Sequence, residues 1–138
     1  MASSHHSLPR ISVIVTTYRR ENLLRETLVS ILGQSFSDFE IIVVDNESDY
    51  DFQGLIKSFD DPRIQGLQNQ NHGVISTNRN VALNQCRGEA IAFCDDNDLW
   101  LTEKLEKKWG VLEHHPEIQL VQRHVSQPIP IGQVKSVA

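Results

Sequence analysis

Apolar residues follow two patterns that alternate along the chain. Short runs are apolar at nearly every position and end in polar residues, which is typical of strands buried on both faces. Between these runs, apolar residues recur every three to four positions, which predicts helices with one buried side. The predicted strands are residues 11–16, 40–44, 64–67, 90–94 and 118–121, and the predicted helices are residues 24–33, 52–59, 76–86 and 103–115.

Single residues mark several of the predicted helix boundaries. Gly88 follows the third helical pattern and is placed to terminate that helix. Thr102 precedes the fourth helix as a candidate N-cap, and Pro116 ends the same helix because proline cannot continue it.

Buried strands that alternate with helices predict an α/β fold, in which a mostly parallel sheet carries helices on both faces. Such sheets bind ligands at the carboxyl ends of their strands, near the point where the strand order reverses. The polar residues directly after the strands are therefore the candidates for binding. They form three groups, which are Thr16-Thr17-Tyr18, Asp45-Asn46 and Asp95-Asp96-Asn97-Asp98.

Composition divides the chain into three parts. Residues 1–8 have no apolar core of the kind a secretory signal needs, and we expect a disordered N-terminus or tag remnant there. Residues 9–121 carry all of the predicted elements and form one domain. Residues 122–138 contain two prolines and a glycine without periodicity, which predicts a poorly ordered tail.

The bulk composition excludes several classes of function. The formal net charge is −5, so the chain lacks the basic surface that nucleic-acid binding requires. No apolar run approaches the ~20 residues of a transmembrane helix. The two cysteines, Cys86 and Cys94, are too few for a disulfide framework and are expected to be free thiols. These features favour a cytoplasmic protein, and peripheral contact with a membrane stays open.

The segment Asp95-Asp96-Asn97-Asp98 is the sharpest chemical feature of the sequence. Three carboxylates within four residues repel one another unless a cation lies between them. A divalent ion with oxygen ligands, which also holds a substrate diphosphate, meets that need. The alternative is an Asp/Asn-rich turn without a ligand, because such turns are common.

Three further residues have both a binding and a structural interpretation. Asp45 could accept hydrogen bonds from a base or a ribose, or it could hold a turn. Tyr18 could stack on a base, with Thr16 beside it, or it could serve only in packing. Arg79 could neutralise a diphosphate, or it could form a surface ion pair. The motifs GxxxxGK[ST], GxGxxG and GxSxG are absent, so the enzyme classes built on them lose support.

In combination, these motifs resemble the start of a family 2 glycosyltransferase with the GT-A fold. The resemblance rests on ISVIVTTYRRENLLRETLVSILGQSFSDFEIIVVDNESD and NHGVISTNRNVALNQCRGEAIAFCDDNDLWLTEKLEKKW, and it covers residues 9–121. It implies an inverting transferase that uses a nucleotide-diphosphate sugar, usually a UDP-sugar, together with Mn²⁺ or Mg²⁺. It assigns nucleotide contacts to Thr16, Tyr18, Asp45, Arg79 and Asp95, and the metal to Asp96 and Asn97.

The sequence departs from the family pattern at the metal position. Asn97 takes the place of the aspartate that usually ligates the ion, so we expect weaker metal binding. Asp96 or Asp98 could substitute for it after a small shift.

The resemblance ends near residue 121, whereas family members continue beyond that point. We therefore expect a fold that is incomplete on its C-terminal side, without a catalytic base and with an exposed sheet edge that favours self-association. The acceptor, a saccharide or a lipid-linked molecule, is not specified by these residues. The alternative function is a binding module that holds a nucleotide or nucleotide-sugar without transferring the sugar.

Overall fold

The computed structural model describes residues 8–70, 75–115, 120–121 and 135–137. Strands and helices alternate through most of this range, as the sequence pattern predicts. The strands are β1 (Ile11–Thr17), β2 (Phe39–Asp45), β3 (Ile64–Gln68), β4 (Ala90–Asp95), β5 (Leu120–Val121) and β6 (Lys135–Val137), and the helices are α1 (Glu21–Leu32), α2 (Phe52–Ser58), α3 (Ile75–Leu83) and α4 (Lys104–His114).

The strands form one sheet in the order β3-β2-β1-β4-β6-β5, and every described strand pair is parallel. The order runs one way from β1 to β3 and the other way from β1 to β4, so the reversal lies between β1 and β4. This confirms the predicted parallel α/β architecture. It also places the ligand-binding position of such sheets at the carboxyl ends of β1 and β4.

Helices cover both faces of the sheet, because each strand directs alternate side chains to opposite sides. Ile11, Val13 and Val15 of β1 point into the larger apolar cluster, which α1, α2 and α4 complete. Ile14 points the other way into a smaller cluster, which Ala82 of α3 helps to close. The two clusters hold the sheet rigid, so the loops at its carboxyl edge stand on a fixed base.

Two of the predicted helix boundaries are wrong. Glu103, not Thr102, occupies the N-cap of α4, and its side chain makes no capping hydrogen bond. Thr102 instead accepts a hydrogen bond at its backbone oxygen from the Ser35 amide (2.9 Å). A threonine before a helical pattern indicates a cap only statistically, and here a tertiary backbone contact fixes the residue differently.

Gly88 is the second boundary that differs. The helix α3 ends at Leu83, five residues earlier than Gly88. A Cβ atom on Gly88 would lie 2.6 Å from the backbone nitrogen of Ser12, and the Gly88 amide donates to the Ser12 hydroxyl (2.8 Å). The glycine is therefore required because the chain passes close to β1 before it enters β4.

Residues 135–137, within the segment 122–138 for which the sequence predicts a poorly ordered tail, form β6 and pair with Ala90–Ala92 of β4. Three residues are too few to give a periodic pattern, so the sequence does not predict this strand. Its position is fixed by pairing with β4 and β5. Consequently, the edge beyond β4, expected to be exposed, is occupied along Ala90–Ala92. Residues 1–7, 118–119 and 122–134 lie outside the described residues.

None of the helices in the described ranges combines the length and the apolar character needed to cross a bilayer.

Candidate functional site

A cleft of about 390 Å³ opens at the carboxyl edge of the sheet, where β1 and β4 end. Register explains the convergence, because Thr16 lies opposite Asp95 across the β1–β4 pair and Thr17 lies opposite Asp45 across the β1–β2 pair. Five of the seven predicted site residues line the cleft, and Asp45 and Arg79 do not. The lining consists of Thr16, Thr17, Tyr18, Arg20, Asn46, Asn78, Asp95, Asp96 and Asn97.

Asp96 is a buried residue of the cleft lining, 6% exposed, whose carboxylate is held by two neighbours. Its Oδ2 accepts from the Thr17 hydroxyl (3.0 Å), and its Oδ1 accepts from Nη1 of Arg20 (3.1 Å). The Thr27 hydroxyl of α1 donates to its backbone oxygen (3.0 Å). Each of the two carboxylate oxygens thus has a protein partner, and the buried charge is compensated by Arg20.

Asp95 differs from its neighbour in both exposure and partner. About two thirds of its side chain is exposed, and one oxygen lies 3.9 Å from Nη2 of Arg79. The Arg79 guanidinium also lies over the ring of Phe93, 5.3 Å from its centroid. Arg79 therefore lies at the rim of the cleft, where it forms an ion pair with Asp95. A surface ion pair was one of the two interpretations of Arg79 from the sequence.

Asp45 is fully buried and organises the turn that follows β2. The Ser48 amide donates to its Oδ2 (2.9 Å), and the Ser48 hydroxyl makes a short hydrogen bond to its Oδ1. Asp45 therefore holds a turn, which was one of its two interpretations from the sequence. A direct contact between Asp45 and a nucleotide stays a prediction, which requires a carboxylate oxygen to leave Ser48.

The loop after β1 is joined to the same turn. The Arg19 amide donates to the Ser48 hydroxyl (2.6 Å), so a chain of hydrogen bonds runs from this loop through Ser48 to Asp45. Arg19 and Glu47 both have positive φ angles, 55° and 53°, in a region that residues other than glycine rarely adopt. Strained conformations of this kind concentrate at binding sites. They place Tyr18, which is 44% exposed, at the mouth of the cleft.

Several residues of the site escaped the sequence reasoning. Arg20 belongs to the pair Arg19-Arg20 in the loop after β1, and two basic residues so close to a strand end are the signal that could have revealed it. Asn46, which the sequence already places among the polar residues after the strands, is buried in the lining. Asn78 is buried there too, accepts from Nδ2 of Asn69 (3.2 Å), and was not predicted. A buried asparagine gives no such signal, because its burial depends on tertiary packing.

The cysteines behave as structural thiols. Both are free, and burial raises the pKa of Cys94 to about 12, with the nearby carboxylate of Asp98 adding to the shift. Burial also raises the pKa of Cys86. Neither residue has the lowered thiol pKa of a cysteine nucleophile.

The oxygen ligands in the cleft fit a divalent ion only in part. No group of three histidine, cysteine, aspartate or glutamate side chains within the described ranges is arranged to hold a metal. The Asp95, Asp96 and Asn97 oxygens nevertheless share one cleft, and Mg²⁺-type ions are commonly bound by one or two carboxylates plus substrate phosphates. The site thus suits an ion that arrives with a diphosphate rather than one bound permanently by the protein.

The parallel sheet, the acidic strand end and the cleft at the strand-order reversal define an α/β protein with a candidate ligand site at the carboxyl edge of its sheet. Residues 12–134 match the family model described as Glycosyl transferase family 2, and the chain belongs to that family of enzymes. This match confirms the family resemblance read from the sequence.

A relative from Campylobacter jejuni, GalNAc(5)-diNAcBac-PP-undecaprenol beta-1,3-glucosyltransferase, is 40% identical over 101 residues, which are 71% of this chain and 33% of the relative. Among solved structures, S. aureus TarS 1-349 in complex with UDP-GlcNAc has a TM-score of 0.75 at 29% identity, over 88% of this chain and 37% of TarS 1-349. The mannosyltransferase PcManGT from Pyrobaculum calidifontis, in complex with GDP-Man and Mn²⁺, has a TM-score of 0.67 at 25% identity, over 78% of this chain and 33% of PcManGT.

These structural similarities confirm the predicted GT-A fold. The chain spans about a third of the length of the proteins just described.

Proposed function

We propose that this chain provides the donor-binding part of an inverting glycosyltransferase, which uses a nucleotide-diphosphate sugar with UDP as the nucleotide. The observation that carries the proposal is the cleft of about 390 Å³ at the end of β1 and β4, which Asp95, Asp96, Asn97 and Arg20 line together. Carboxylates for a metal and arginines for phosphate are thereby combined at the position where parallel sheets bind nucleotides.

The nucleotide end of the proposed site lies at the loop after β1. Tyr18 is exposed enough to stack on a base, and Thr16 lies beside it in the cleft lining. Asp95 is positioned to accept hydrogen bonds from a ribose, and Asp45 contributes at the end of β2 once it releases Ser48. The UDP-GlcNAc in the TarS complex supports UDP as the nucleotide.

The diphosphate end holds the divalent ion, Mn²⁺ or Mg²⁺. We assign its protein ligands to Asp96 and Asn97, with phosphate oxygens completing the coordination shell. The ion would neutralise charge on the departing diphosphate, and Arg79 would add a permanent positive charge at the rim. The Mn²⁺ in the PcManGT complex supports this assignment.

A catalytic base and an acceptor complete the proposed reaction. Inversion requires a base that activates the acceptor hydroxyl, and we assign no described residue to that function. The undecaprenol-linked acceptor in the name of the Campylobacter jejuni relative supports a lipid-linked saccharide. An acceptor of that kind fits a cytoplasmic enzyme that works at the membrane surface. Residues 9–121 would form the nucleotide-sugar-binding domain, and self-association through a free part of the sheet edge stays a prediction.

A binding module without transferase activity is the second candidate. It is favoured by the Asp96 side chain, because both of its oxygens are already bound by Thr17 and Arg20. A carboxylate held in this way is less available to a metal. The module would bind the nucleotide through the same cleft, so the two candidates differ in metal dependence and in transfer.

Isothermal titration calorimetry of the chain with UDP, GDP, CDP and ADP, each with and without Mn²⁺, tests the donor site. We expect heat from UDP that increases in the presence of Mn²⁺. UDP binding that is independent of metal would support the binding module. The donor-site assignment would be abandoned if no nucleoside diphosphate bound under either condition.

A further inference from the structure

Arg20 and Asp96 form an ion pair inside the proposed donor site, and both residues line the cleft. Nη1 of Arg20 lies 3.1 Å from Oδ1 of Asp96, and the two partners differ in exposure. The Arg20 side chain is 52% exposed, whereas the Asp96 side chain is 9% exposed. A buried carboxylate depends on a cationic partner, while a half-exposed guanidinium keeps contact with water and can leave at a lower cost.

Asp96 keeps its orientation through contacts that do not involve Arg20. The Thr17 hydroxyl donates to its Oδ2 (3.0 Å), and the Thr27 hydroxyl donates to its backbone oxygen (3.0 Å). Both threonines are buried. Oδ1 is therefore the oxygen that can change its partner while the rest of the residue stays in place.

The backbone of Arg20 is also fixed, so an exchange of partners involves only its side chain. Arg20 is the boundary residue before α1, and its carbonyl oxygen accepts from the Leu24 amide (2.8 Å). Its side chain makes no capping hydrogen bond to the helix. The guanidinium can thus rotate from Asp96 towards a ligand in the same cleft without disturbing α1.

The charge of Arg20 opposes a second cation at Asp96. In the ligand-free protein, the guanidinium occupies Oδ1, an oxygen through which Asp96 can bind a divalent ion. Like charges within about 4–6 Å disfavour each other. A diphosphate changes this balance, since its oxygens offer the guanidinium bidentate, charge-assisted hydrogen bonds. Once Arg20 contacts the diphosphate, Oδ1 is available and the local positive charge is neutralised.

The arginine at the rim of the cleft does not oppose a cation in the same way. Nη2 of Arg79 lies 3.9 Å from Asp95, whose side chain is 65% exposed, so solvent weakens that pair. The Arg79 guanidinium also lies over the Phe93 ring. Opening this pair costs little, and the control of ion binding falls on Arg20.

We propose that Arg20 is an exchangeable counter-ion of Asp96, which makes metal binding in the donor site depend on the diphosphate. This inference rests on the proposed function. Without nucleotide, Arg20 neutralises Asp96 and keeps free divalent ions from Oδ1. When the diphosphate enters, Arg20 transfers from the carboxylate to the phosphate oxygens, and Asp96 offers Oδ1 to the ion that accompanies the nucleotide.

A purely structural ion pair predicts a different response to substitution. If Arg20 serves only to hold Asp96 in place, Arg20→Met loosens the carboxylate, and Mn²⁺ binds no more tightly than before. If Arg20 competes with the ion, the same variant opens Oδ1, and Mn²⁺ binds more tightly in the absence of nucleotide. The sign of the change in Mn²⁺ affinity therefore separates the two roles.

The experiment measures the dissociation constant of Mn²⁺ with and without saturating UDP by electron paramagnetic resonance, and that of UDP at saturating Mn²⁺ by calorimetry. In Arg20→Met we expect the Mn²⁺ constant without UDP to fall about tenfold, within the usual range of couplings between ligands. The UDP constant at saturating Mn²⁺ should rise by a similar factor, because the contacts between arginine and phosphate are lost. Arg25→Met is the matched control, since Arg25 pairs with Glu21 on α1 outside the cleft lining, and both constants should be unchanged.

Arg20→Lys tests the same exchange in a variant that keeps the charge beside Asp96. A lysine still neutralises the carboxylate but lacks the fork that binds phosphate through two hydrogen bonds. We expect Mn²⁺ without UDP to bind as weakly as in the wild type. UDP at saturating Mn²⁺ should bind with an affinity between those of the wild type and Arg20→Met.

Two results would overturn the inference while leaving the donor site intact. One is a folded Arg20→Met variant whose Mn²⁺ affinity without nucleotide is equal to or lower than that of the wild type. The other needs no variant, and is a wild-type chain that binds Mn²⁺ equally well with and without UDP. A wild-type chain that binds no UDP in the presence of Mn²⁺ would instead contradict the proposed function itself.

Discussion

Asp45, Ser48 and Arg19 illustrate how single residues connect two loops of the cleft. The Asp45 carboxylate holds Ser48 through two hydrogen bonds, and the Ser48 hydroxyl in turn accepts from the Arg19 amide. Arg19 has a positive φ angle, which costs energy for a residue with a side chain. The contacts to Ser48 offset this cost, so the Asp45 carboxylate indirectly fixes the loop that carries Tyr18.

Asp45→Ala is expected to destabilise the chain by about 1–3 kcal/mol, because it leaves the Ser48 donors without an acceptor. It should also reduce stabilisation by UDP and Mn²⁺, which reaches about 2.7 kcal/mol at ~100 times the dissociation constant. Urea denaturation with and without ligand measures both effects. Asp49→Ala is the matched control at an exposed position, where substitutions usually change stability by less than about 0.5 kcal/mol. Equal losses in the two variants would remove Asp45 from the proposed site.

A substitution at a single residue, Asn97, tests the proposed metal ligands. Asn97→Asp adds a negative charge to the proposed first shell, so Mn²⁺ should bind several-fold more tightly in the presence of UDP. A metal titration at fixed nucleotide provides the measurement, with Asp98→Asn as the control for a general change of charge in the turn. Unchanged metal affinity in Asn97→Asp, combined with a loss in Asp98→Asn, would transfer the ligand role to Asp98.

At the scale of elements, Gly88 and Ser12 join the amino end of β4 to β1 and β2. The Ser12 hydroxyl donates to Glu40 (2.7 Å) and accepts from the Gly88 amide (2.8 Å). Glu40 also forms an ion pair with Arg87 (3.0 Å). This buried network lies at the amino ends of the strands, which is the edge opposite the cleft, and it secures the strands that carry the site.

Gly88→Ala is expected to cost about 1–3 kcal/mol, because the added Cβ would overlap the backbone of β1 and force it to move. Gly110→Ala is a matched control within α4. No atom lies within 4 Å of a Cβ there, and alanine favours a helix over glycine by about 0.5–1 kcal/mol. Thermal and urea unfolding should therefore show opposite signs for the two variants. A neutral Gly88→Ala would contradict the close approach to β1.

Some elements of the fold are predictable from the sequence and others are not, for physical reasons. The four main strands and the helices were predictable because burial imposes a pattern on several consecutive residues at a time. β6 was not, since three residues held by hydrogen bonds to β4 leave no such pattern. The acidic turn was predictable because three carboxylates in four residues are unusual, whereas Asn78 acquires its position in the cleft from tertiary packing alone.

At the scale of the whole molecule, two of the glutamates of α4, Glu106 and Glu113, are engaged in contacts away from the cleft. Glu106 accepts from the Ser35 hydroxyl (3.0 Å), beyond the end of α1. Glu113 accepts from the Trp109 indole (2.8 Å) and lies 3.5 Å from Arg10, which precedes β1. The length of β1 puts that end of the sheet roughly 20 Å from the cleft. Neither glutamate can reach an acceptor bound beside the donor.

A second groove, of about 580 Å³, is lined mainly by the residues that come after the acidic turn in the sequence. Leu99 and Leu101 line it and are both about two thirds exposed, so the groove is largely apolar at its mouth. Its single carboxylate in the described lining belongs to Glu103, which forms an ion pair with Lys107 (3.2 Å). An acceptor in this groove would meet apolar and basic side chains, and the one acidic group would be neutralised.

We therefore expect the 138-residue chain, purified alone, to bind UDP with Mn²⁺ but not to transfer sugar at a rate above slow donor hydrolysis. A positioned base contributes about 10²–10⁴-fold to such a reaction, and the described residues place none beside the cleft. Incubation with labelled UDP-sugars and a panel of saccharide and lipid-linked acceptors, analysed by product chromatography, makes the measurement. Glu103→Gln is the decisive variant, because Glu103 is the one carboxylate in the described lining of the second groove. Metal-dependent transfer by the wild type that Glu103→Gln abolishes would show that the Lys107 ion pair opens to supply the base.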